Sequence, residues 1–401
     1  MQKQSLSKPT HDSHPTDPTA SPVFQTGKVL AVSVAHFIHD VYSSFLSPLL
    51  PLLIEKMSLS LTQAGFLSTA LQLPALLNPW LGTLADRISV RYFVILAPAL
   101  TAVPMSLIGV APSYGVLVIL LLAAGVSVSL FHVPSPVMIA RLAGSKKGRG
   151  MSYYMTGGEL ARTLGPLAAV GAVSLLGLEG FYPVMLFGIA ASFWLFFRLR
   201  HVSTGYQAGS RASVSGTWRE LNTIFLPLTV ILVSRGFMHA SMATFLPTFM
   251  QSETGNLWLA GFALTLFEAA GVVGIIVAGS LSDFLGRRTT LLVSLVGAPL
   301  GLLLFTVLDG WARLAILLFI GFTLLSTTPV MLAMIQEHAR SSPSTANGLF
   351  MMISFMSRSA VVVIVGFIGD LIGLKSTYVI SALMGLVAIP FVLKLPNRHD
   401  P

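Results

Sequence analysis

Gly279-Ser280-Leu281-Ser282-Asp283-Phe284-Leu285-Gly286-Arg287-Arg288 is a short polar run with a long apolar segment on either side. Its residue types predict a tight turn between two membrane helices. Small residues let the helices and the turn pack closely, the acid can face the positive N-terminus of a neighbouring helix, and the arginines can stay among anionic lipid headgroups. We therefore expect a membrane protein in which this turn faces the cytoplasm.

A related run lies earlier in the chain, Gly82-Thr83-Leu84-Ala85-Asp86-Arg87-Ile88-Ser89-Val90-Arg91, and it precedes the first by 197 residues in a chain of 401. Smaller echoes recur at nearly the same offset. Phe45-Leu46-Ser47-Pro48 returns as Phe245-Leu246-Pro247, and Arg149-Gly150 returns as Asn347-Gly348. A repeat of half the chain length indicates two copies of one structural half.

The composition excludes a soluble globular domain. Hydrophobic residues make up 54% of the chain, charged residues only 10%, and the mean hydropathy is +0.80, as is typical of a polytopic membrane protein. Runs that can cross about 30 Å of hydrocarbon are predicted to be helices, because lipid requires backbone groups to be bonded within the segment. The twelve predicted spans are residues 28–54, 62–84, 92–112, 114–137, 151–176, 180–198, 222–250, 257–281, 289–308, 312–335, 346–369 and 374–394.

The distribution of Lys and Arg predicts the orientation. Eighteen of the 24 Lys and Arg residues fall on one side when both termini and every loop after an even-numbered helix lie there, and the positive-inside rule makes that side cytoplasmic. The net charge of +9 therefore indicates retention at an anionic leaflet and no nucleic-acid partner. We expect a disordered tail over residues 1–27, a six-helix bundle over 28–198, a cytoplasmic linker over 199–221, a second bundle over 222–394 and a cytoplasmic tail over 395–401.

The chemistry of the protein is predicted from ionisable residues inside the predicted helices. A charge at the centre of a membrane helix costs on the order of 2.5 to 3.5 kcal/mol on insertion scales, so each such residue is expected to be paired or functional. They lie on predicted helices one, four, five, seven, eight and eleven, which fits a polar cavity between two halves. The residues are His36, His39, Asp40, His132, Glu159, Arg162, Arg235, His239, Glu268 and Arg358.

Two spacings place some of these residues on common helix faces. His36 and Asp40 are four residues apart, as are Arg235 and His239, so each pair projects from one face of its helix. An offset of 199 residues superposes the two pairs, which makes an acidic face of the first helix the counterpart of a basic face of the seventh. The alternative is mutual neutralisation, with Asp40 held by Arg235, Arg162 by Glu159, and Arg358 by Glu268.

The two polar runs together resemble the loop motif of the major facilitator superfamily, which joins the second helix to the third and the eighth to the ninth. The first run has Ser89 and Val90 where the family usually has glycine and a basic residue. The resemblance implies an all-α integral membrane fold of twelve transmembrane helices in two pseudo-symmetric six-helix bundles. We expect Asp86 and Asp283 to gate the cytoplasmic side by facing the N-termini of helices eleven and five, together with Arg87, Arg91, Arg287 and Arg288.

The first half resembles a narrower family. The stretches that carry this resemblance are His36-Phe37-Ile38-His39-Asp40, Pro48-Leu49-Leu50, Phe131-His132-Val133-Pro134, Gly157-Gly158 and Leu164-Gly165-Pro166-Leu167. They look like the fosmidomycin-resistance family of bacterial exporters, which implies a phosphonate antibiotic as substrate. The Gly-Pro step also resembles an exporter motif without its following paired glycines, and a small-residue packing face with a proline kink explains it equally well.

The sequence thus predicts a proton-coupled drug/proton antiporter that exports small anionic compounds such as phosphonates by alternating access. We expect it to be a monomer in the bacterial inner membrane. The candidates for proton coupling are Asp40, His36, Glu159 and Glu268, since burial penalises a charged carboxylate. Guanidinium forks suit carboxylate and phosphonate oxygens, so the candidates for the substrate shell are Arg162, Arg235 and Arg358 with His132, His239 and His39. The alternative is a proton-coupled importer of an organic anion, sugar or amino-acid derivative.

Other classes of function are not favoured by the sequence. The chain contains no cysteine, no G-x-x-x-x-G-K-[ST] loop for nucleotide phosphates and no H-E-x-x-H motif for a metal. We therefore expect no enzymatic activity, no cofactor and no resident metal. A receptor that binds a ligand without transport is the remaining rival, and it would fail to move that ligand across a sealed vesicle.

Overall fold

The computed structural model of the protein describes residues 24–78, 91–202, 214–339 and 343–396. Within these ranges the regular structure is helical. The α-helices are α1 (Thr26–Ser43), α2 (Leu46–Met57), α3 (Leu61–Gln72), α4 (Arg91–Leu107), α5 (Tyr114–His132), α6 (Ser135–Leu142), α7 (Lys147–Leu176), α8 (Met185–Leu199), α9 (Val214–Ala243), α10 (Leu246–Thr254), α11 (Leu257–Leu285), α12 (Arg287–Val307), α13 (Gly310–His338), α14 (Pro343–Ile372), α15 (Leu374–Leu386) and α16 (Ile389–Leu393). Short 3₁₀ turns follow α3 and α4 and precede α8.

Eleven segments of the described chain are helical, long and apolar enough to cross a membrane. The predicted span that does not appear among them is the second, residues 62–84, because its described part ends at residue 78. The all-α membrane fold is confirmed. The polar run that begins at Gly82, the first part of the N-terminal tail and residues 203–213 of the predicted linker lie outside the described residues.

Four of the predicted continuous spans are in fact broken helices, and one of them is the twelfth, which breaks between α15 and α16. The first span breaks at Ser44 and Phe45 between α1 and α2, and the seventh breaks at Thr244 and Phe245 between α9 and α10. A proline just beyond each break lacks an N–H group, and its ring clashes with the carbonyl of the residue four positions earlier. The fourth span breaks in the same way between α5 and α6, next to Pro134. The repeat seen in the sequence is thus a repeat of helix breaks.

The start of the second half also differs from the prediction. The helix α9 begins at Val214, within the predicted linker of residues 199–221, rather than at residue 222. The ring of Trp218 stacks on that of Phe225 with centroids 5.6 Å apart, and Phe225 is buried in the core of the second half. This contact between residues two helical turns apart therefore stabilises helical turns that precede the apolar run.

The apolar cores follow the division into halves. One large cluster of buried side chains draws only on residues from Leu221 to Leu395, and another draws only on residues from Val29 to Val202. A third cluster belongs mainly to the first half but includes Phe237, Phe245 and Val362 from the second. The two bundles therefore have their own interiors and share one apolar contact region.

That contact region is tightest between α3 and α14. A Cβ atom placed on Gly65 would lie 2.8 Å from the carbonyl oxygen of Val362, so only glycine lets the two backbones approach this closely. The hydroxyl of Thr69 donates to the carbonyl of Ser359 across the same contact at 2.8 Å. A glycine is required here because the obstructing atom is backbone and cannot rotate away.

We expect Gly65→Ala to destabilise the fold by about 1 to 3 kcal/mol, the usual cost of overpacking, although alanine is the better helix former. The matched control is Gly148→Ala on α7, where an added Cβ would meet no atom within 4 Å. Thermal unfolding of the purified variants in detergent, followed by circular dichroism, measures both. Equal melting temperatures for the two variants would contradict this account of the contact.

Candidate functional site

A cavity of about 230 Å³ lies between the two halves. Four of the residues singled out in the sequence line it, and they come from four different helices: Arg162 on α7, His239 on α9, Glu268 on α11 and Arg358 on α14. Its remaining polar lining is provided by Ser43, Ser44, Ser47, Ser68, Gln72 and Thr244. The cavity is therefore a polar compartment that both halves build, with two guanidinium groups and one imidazole facing one carboxylate.

The charges of this cavity are only partly neutralised by direct pairing. Arg162 forms an ion pair with Glu159, three residues earlier on α7, and its side chain remains 45% exposed. Arg358 instead lies over the ring of Phe355, 5.5 Å from its centroid. Among the described residues, no carboxylate oxygen lies within the 4.0 Å ion-pair distance of Arg358, and no cation lies within that distance of Glu268. The cavity thus keeps a cationic group free to meet an anion.

Arg235 is the one predicted arginine that does not line the cavity. It is 6% exposed, and its guanidinium donates to the carbonyl of Leu324 on α13 at 3.4 Å. Its Nε atom has no hydrogen-bond partner in the described structure. His239, one turn further along α9 and on the same face, reaches the cavity while Arg235 stays inside the second half. The shared face predicted from their spacing therefore does not give them a shared environment.

The second group of predicted residues surrounds Asp40 inside the first half. Its carboxylate lies 3.2 Å from Nε2 of His36, 2.7 Å from Nδ1 of His39 and 3.2 Å from Nε2 of His132. We call these four residues the Asp40 cluster. His39 and His132 were expected in a substrate shell with the arginines, and the structure places them around the carboxylate instead. Asp40 is held by three imidazoles and not by Arg235.

The hydrogen bonds of His36 fix where protons must be in this cluster. Its Nδ1 atom lies 2.8 Å from the carbonyl oxygen of Tyr154, and because a carbonyl only accepts, Nδ1 carries a proton. A neutral His36 would then present the lone pair of Nε2 to a carboxylate oxygen of Asp40 at 3.2 Å. That contact is attractive only if one more proton is present, either on His36 or on Asp40. The contact between His36 and Asp40 is therefore a place where the cluster could hold one further proton.

Tight packing holds the rings of the Asp40 cluster in place. His36 stacks on Tyr154 with centroids 4.0 Å apart, and His39 stacks on Phe131 at 4.5 Å. A Cβ atom on Gly158 would lie 2.5 Å from Cε1 of His36, so the small residues of the fifth predicted helix form a packing face against α1. His39 is fully buried, while the side chain of His132 is 35% exposed. The cluster is therefore closed at His39 and partly open at His132.

The Asp40 cluster and the cavity are neighbours along α1. Ser43 and Ser44, which line the cavity, follow Asp40 by three and four residues. That separation corresponds to about 6 Å along a helix axis. A change at Asp40 can thus reach the cavity wall through one turn of helix.

The residues predicted to gate the cytoplasmic side are only partly described. Asp86 and Arg87 lie outside the described residues, and their role stays a prediction. Asp283 pairs with Arg287 at 2.6 Å, and Arg287 in turn pairs with Glu337 on α13 at 2.8 Å, so the second polar run is tied to the helix beside it. Arg288 follows in the first turn of α12, and Arg91 begins α4 and donates to the carbonyl of Val202 at 3.3 Å.

The residue that sequence reasoning missed is Asp370, near the end of α14. Its carboxylate accepts hydrogen bonds from the backbone N–H of Leu61 at 2.7 Å and of Thr62 at 2.9 Å, and from the hydroxyl of Thr62 at 2.5 Å. A carboxylate from the second half thus caps the N-terminus of α3 in the first. The capping box between Ser60 and Gln63 marks that helix start in the sequence, but nothing in the sequence connects it with a residue 309 positions away.

Comparisons with known proteins agree with this architecture. The sequence profile of the Major Facilitator Superfamily matches residues 32–358 and 228–401. The Fosmidomycin resistance protein of Escherichia coli (strain K12) is 26% identical over 382 residues, which cover 92% of this chain and 93% of that protein.

Two solved structures share the fold at lower sequence identity. The first is a bacterial homologue of the human lysosomal transporter Spinster, in an inward-facing and occupied conformation, with a TM-score of 0.82 at 14% identity, covering 92% of this chain and 96% of that one. The second is a D-xylose-proton symporter, with a TM-score of 0.72 at 14% identity, covering 93% of this chain and 98% of that one. At these identities the likeness concerns the fold alone.

We expect Asp370→Asn to loosen the contact between the halves, because asparagine keeps the shape but loses the charge that the N-terminus of α3 attracts. Single-cysteine labelling is a clean measurement, since the chain has no native cysteine. Ser47→Cys, on the cavity wall, should react several-fold faster with a membrane-impermeant maleimide applied at the Asp370 end.

The matched control is Glu179→Gln. Glu179 belongs to the loop before α8 and pairs with Lys56 of its own half at 2.7 Å, a hydrogen bond that lowers the pKa of the carboxyl group. Its replacement removes a charged pair without touching the contact between the halves. Unchanged labelling in the Asp370→Asn variant would show that this carboxylate does not hold the halves together.

Proposed function

Since the chain belongs to the major facilitator superfamily, we propose that it is a proton-coupled antiporter that exports small anionic compounds from the bacterial cytoplasm. The family consists of transporters, so the chain is a membrane transporter and not an enzyme. The observation that carries the proposal is the cavity between the halves, in which Arg162 and Arg358 face Glu268. We place the protein in the inner membrane as a monomer with both termini in the cytoplasm.

The charge of the cavity supports an anionic substrate. Arg162 is already paired with Glu159, while Arg358 has no carboxylate within ion-pair distance in the described structure. Guanidinium presents a planar fork that bonds two oxygens of a carboxylate or phosphonate at once. A relative of similar length is named for resistance to fosmidomycin, and the family resemblance in the first half implies a phosphonate. Small phosphonates are therefore the first substrates to test.

The Asp40 cluster supports proton coupling. In this proposal His36 and Asp40 share one exchangeable proton, and the three imidazoles around one carboxylate redistribute protons as a coupled group. We propose that His132, the partly exposed member of the cluster, exchanges protons with water, and one turn of α1 connects the cluster with the cavity. Glu268 adds a second acid that faces the arginines directly. Protonation of either acid changes the charge that a substrate meets in the cavity, so proton binding and substrate binding are linked.

Import remains the competing direction of transport. A D-xylose-proton symporter has the same fold, and a polar cavity between two halves serves either direction. A flux assay in proteoliposomes with an imposed proton gradient separates them, because an antiporter accumulates substrate against the direction of proton flow. A panel of phosphonates, carboxylates and cationic dyes identifies the substrate class in the same assay.

We expect Arg358→Lys to weaken the binding of an anionic substrate about 10-fold and Arg358→Gln about 100-fold, as the loss of a charge-assisted hydrogen bond and then of the charge would give. Lysine keeps the charge without the fork, and glutamine keeps neither. The measurement is equilibrium binding of a phosphonate to purified protein, with Lys375→Gln as a control for charge lost outside the cavity. Native affinity in the Arg358→Gln variant would remove Arg358 from the binding site.

We expect Asp40→Asn to abolish accumulation driven by a proton gradient while exchange of substrate for substrate continues, because asparagine cannot carry the shared proton. Both rates are measured in proteoliposomes, with and without the gradient. Glu55→Gln, which removes an exposed carboxylate at the end of α2, is the control. Full accumulation in the Asp40→Asn variant would exclude Asp40 as the coupling residue and direct the same test to Glu268.

A further inference from the structure

We propose that a second cavity, at one end of the first half, binds the phosphate group of an anionic phospholipid. We call it the Lys28 cavity. It measures about 300 Å³ and is lined by Gln25, Lys28, Met138, Arg141, Leu142, His201 and Val202. Three of these side chains carry or can carry a positive charge, and none carries a negative one.

The Lys28 cavity is built where three helices end. Lys28 lies in the first turn of α1, Arg141 lies in the last turn of α6, and His201 follows the end of α8. The backbone N–H of Gln25 donates to the carbonyl of Leu142 at 2.9 Å, which joins the start of α1 to the end of α6. The cationic groups are therefore fixed on separate elements around one space and are not neighbours on a single flexible loop.

A fourth positive charge adjoins this cavity. The guanidinium of Arg91 donates to the carbonyl of Val202, a lining residue, at 3.3 Å. The Nε atom of Arg91 is buried and has no hydrogen-bond partner in the described part of the chain. Like charges held together repel one another, and the repulsion is relieved when an anion enters the space between them.

The basic residues at the opposite ends of the helices form ion pairs with acidic side chains of the protein. Lys56 pairs with Glu179 at 2.7 Å, and Arg313 pairs with Glu253 at 3.2 Å and also with Asp309. In contrast, no acidic side chain of the described residues lies within ion-pair distance of Lys28, Arg141, His201 or Arg91. Within the described residues, the cations at that opposite end are therefore paired with acids of the protein, whereas those of the Lys28 cavity are not and can meet an external anion.

The position of the Lys28 cavity matches the depth of lipid headgroups. The three helices around it form the ends of membrane-spanning segments, which are Thr26–Met57, Tyr114–Leu142 and Tyr182–Leu199. Basic pockets between helix ends on the cytoplasmic side of a membrane bind anionic headgroups, and long basic side chains reach towards that level from the hydrocarbon. A phosphodiester at this depth brings acceptor oxygens to all three cations. A bound lipid would thereby fasten the start of α1 to α6 and α8.

The test uses the full-length protein and the double variant Lys28→Gln/Arg141→Gln. After purification from membranes that contain phosphatidylglycerol and exchange into detergent, native mass spectrometry counts the lipids that remain bound. We expect about one fewer phosphatidylglycerol per chain in the double variant. The control is Arg198→Gln, which removes a charge from α8 that lies over Trp194, outside the cavity, and which should keep the native lipid count.

A second measurement distinguishes a lipid from free phosphate. The melting temperature of the native protein is measured with added phosphatidylglycerol, phosphatidylcholine or inorganic phosphate. The proposal requires that phosphatidylglycerol raises it by several degrees, that the other two do not, and that the double variant loses this rise. A rise with inorganic phosphate alone would assign the cavity to a soluble phosphate and overturn the lipid proposal. Equal lipid counts in the double variant and the Arg198→Gln control would exclude the site altogether.

Discussion

The cost of a charge in hydrocarbon governs the arrangement of this protein. Every ionisable group within the spanning segments must find a partner, a hydrogen bond or water, since lipid supplies none. The protein meets this requirement in two ways. Asp40 is enclosed by three imidazoles inside the first half, whereas Arg162, Glu268 and Arg358 face a cavity between the halves. The first arrangement surrounds one carboxylate with hydrogen-bonding groups, and the second leaves open space between charged groups. Their separation by one turn of α1 makes communication between them physically direct.

Close approach of backbones connects these sites to the movement that a transporter needs. Glycines on α7 bring its backbone against α1 and under the ring of His36, and Gly65 does the same for α3 against α14. Packed helices of this kind move as rigid elements and do not bend continuously. The carboxylate of Asp370 adds a polar contact that joins the halves at one end. Transport in a protein with this fold requires such contacts to break and re-form, so their strength sets which state is favoured.

The two sites also differ in how many of their contacts could be predicted from the sequence. The ion pair of Arg162 with Glu159 follows from helical spacing. It belongs to the mutual neutralisation that the sequence left open as the alternative to a functional role. One partner of Asp40, His36, follows from helical spacing. His132 does not, because it reaches Asp40 from another helix, and the sequence offered Arg235 as the partner under the alternative of mutual neutralisation. Arg235 and His239 share a face, but one is buried against α13 while the other reaches the cavity. Spacing fixes which residues project together; packing decides what they meet.

The sequence by itself determined the membrane class, the helical fold, the two halves and the family. These depend on hydropathy, a repeat of 197 residues and local motifs, all of which can be recognised from the order of residues alone. It also marked the ionisable residues of both sites, because a charge within an apolar run stands out wherever it falls. Only the tertiary structure sorted those residues into the Asp40 cluster and a cavity, and only it brought Asp370 to the start of α3. Such contacts depend on distances between helices that are remote in the chain, and no local pattern encodes them.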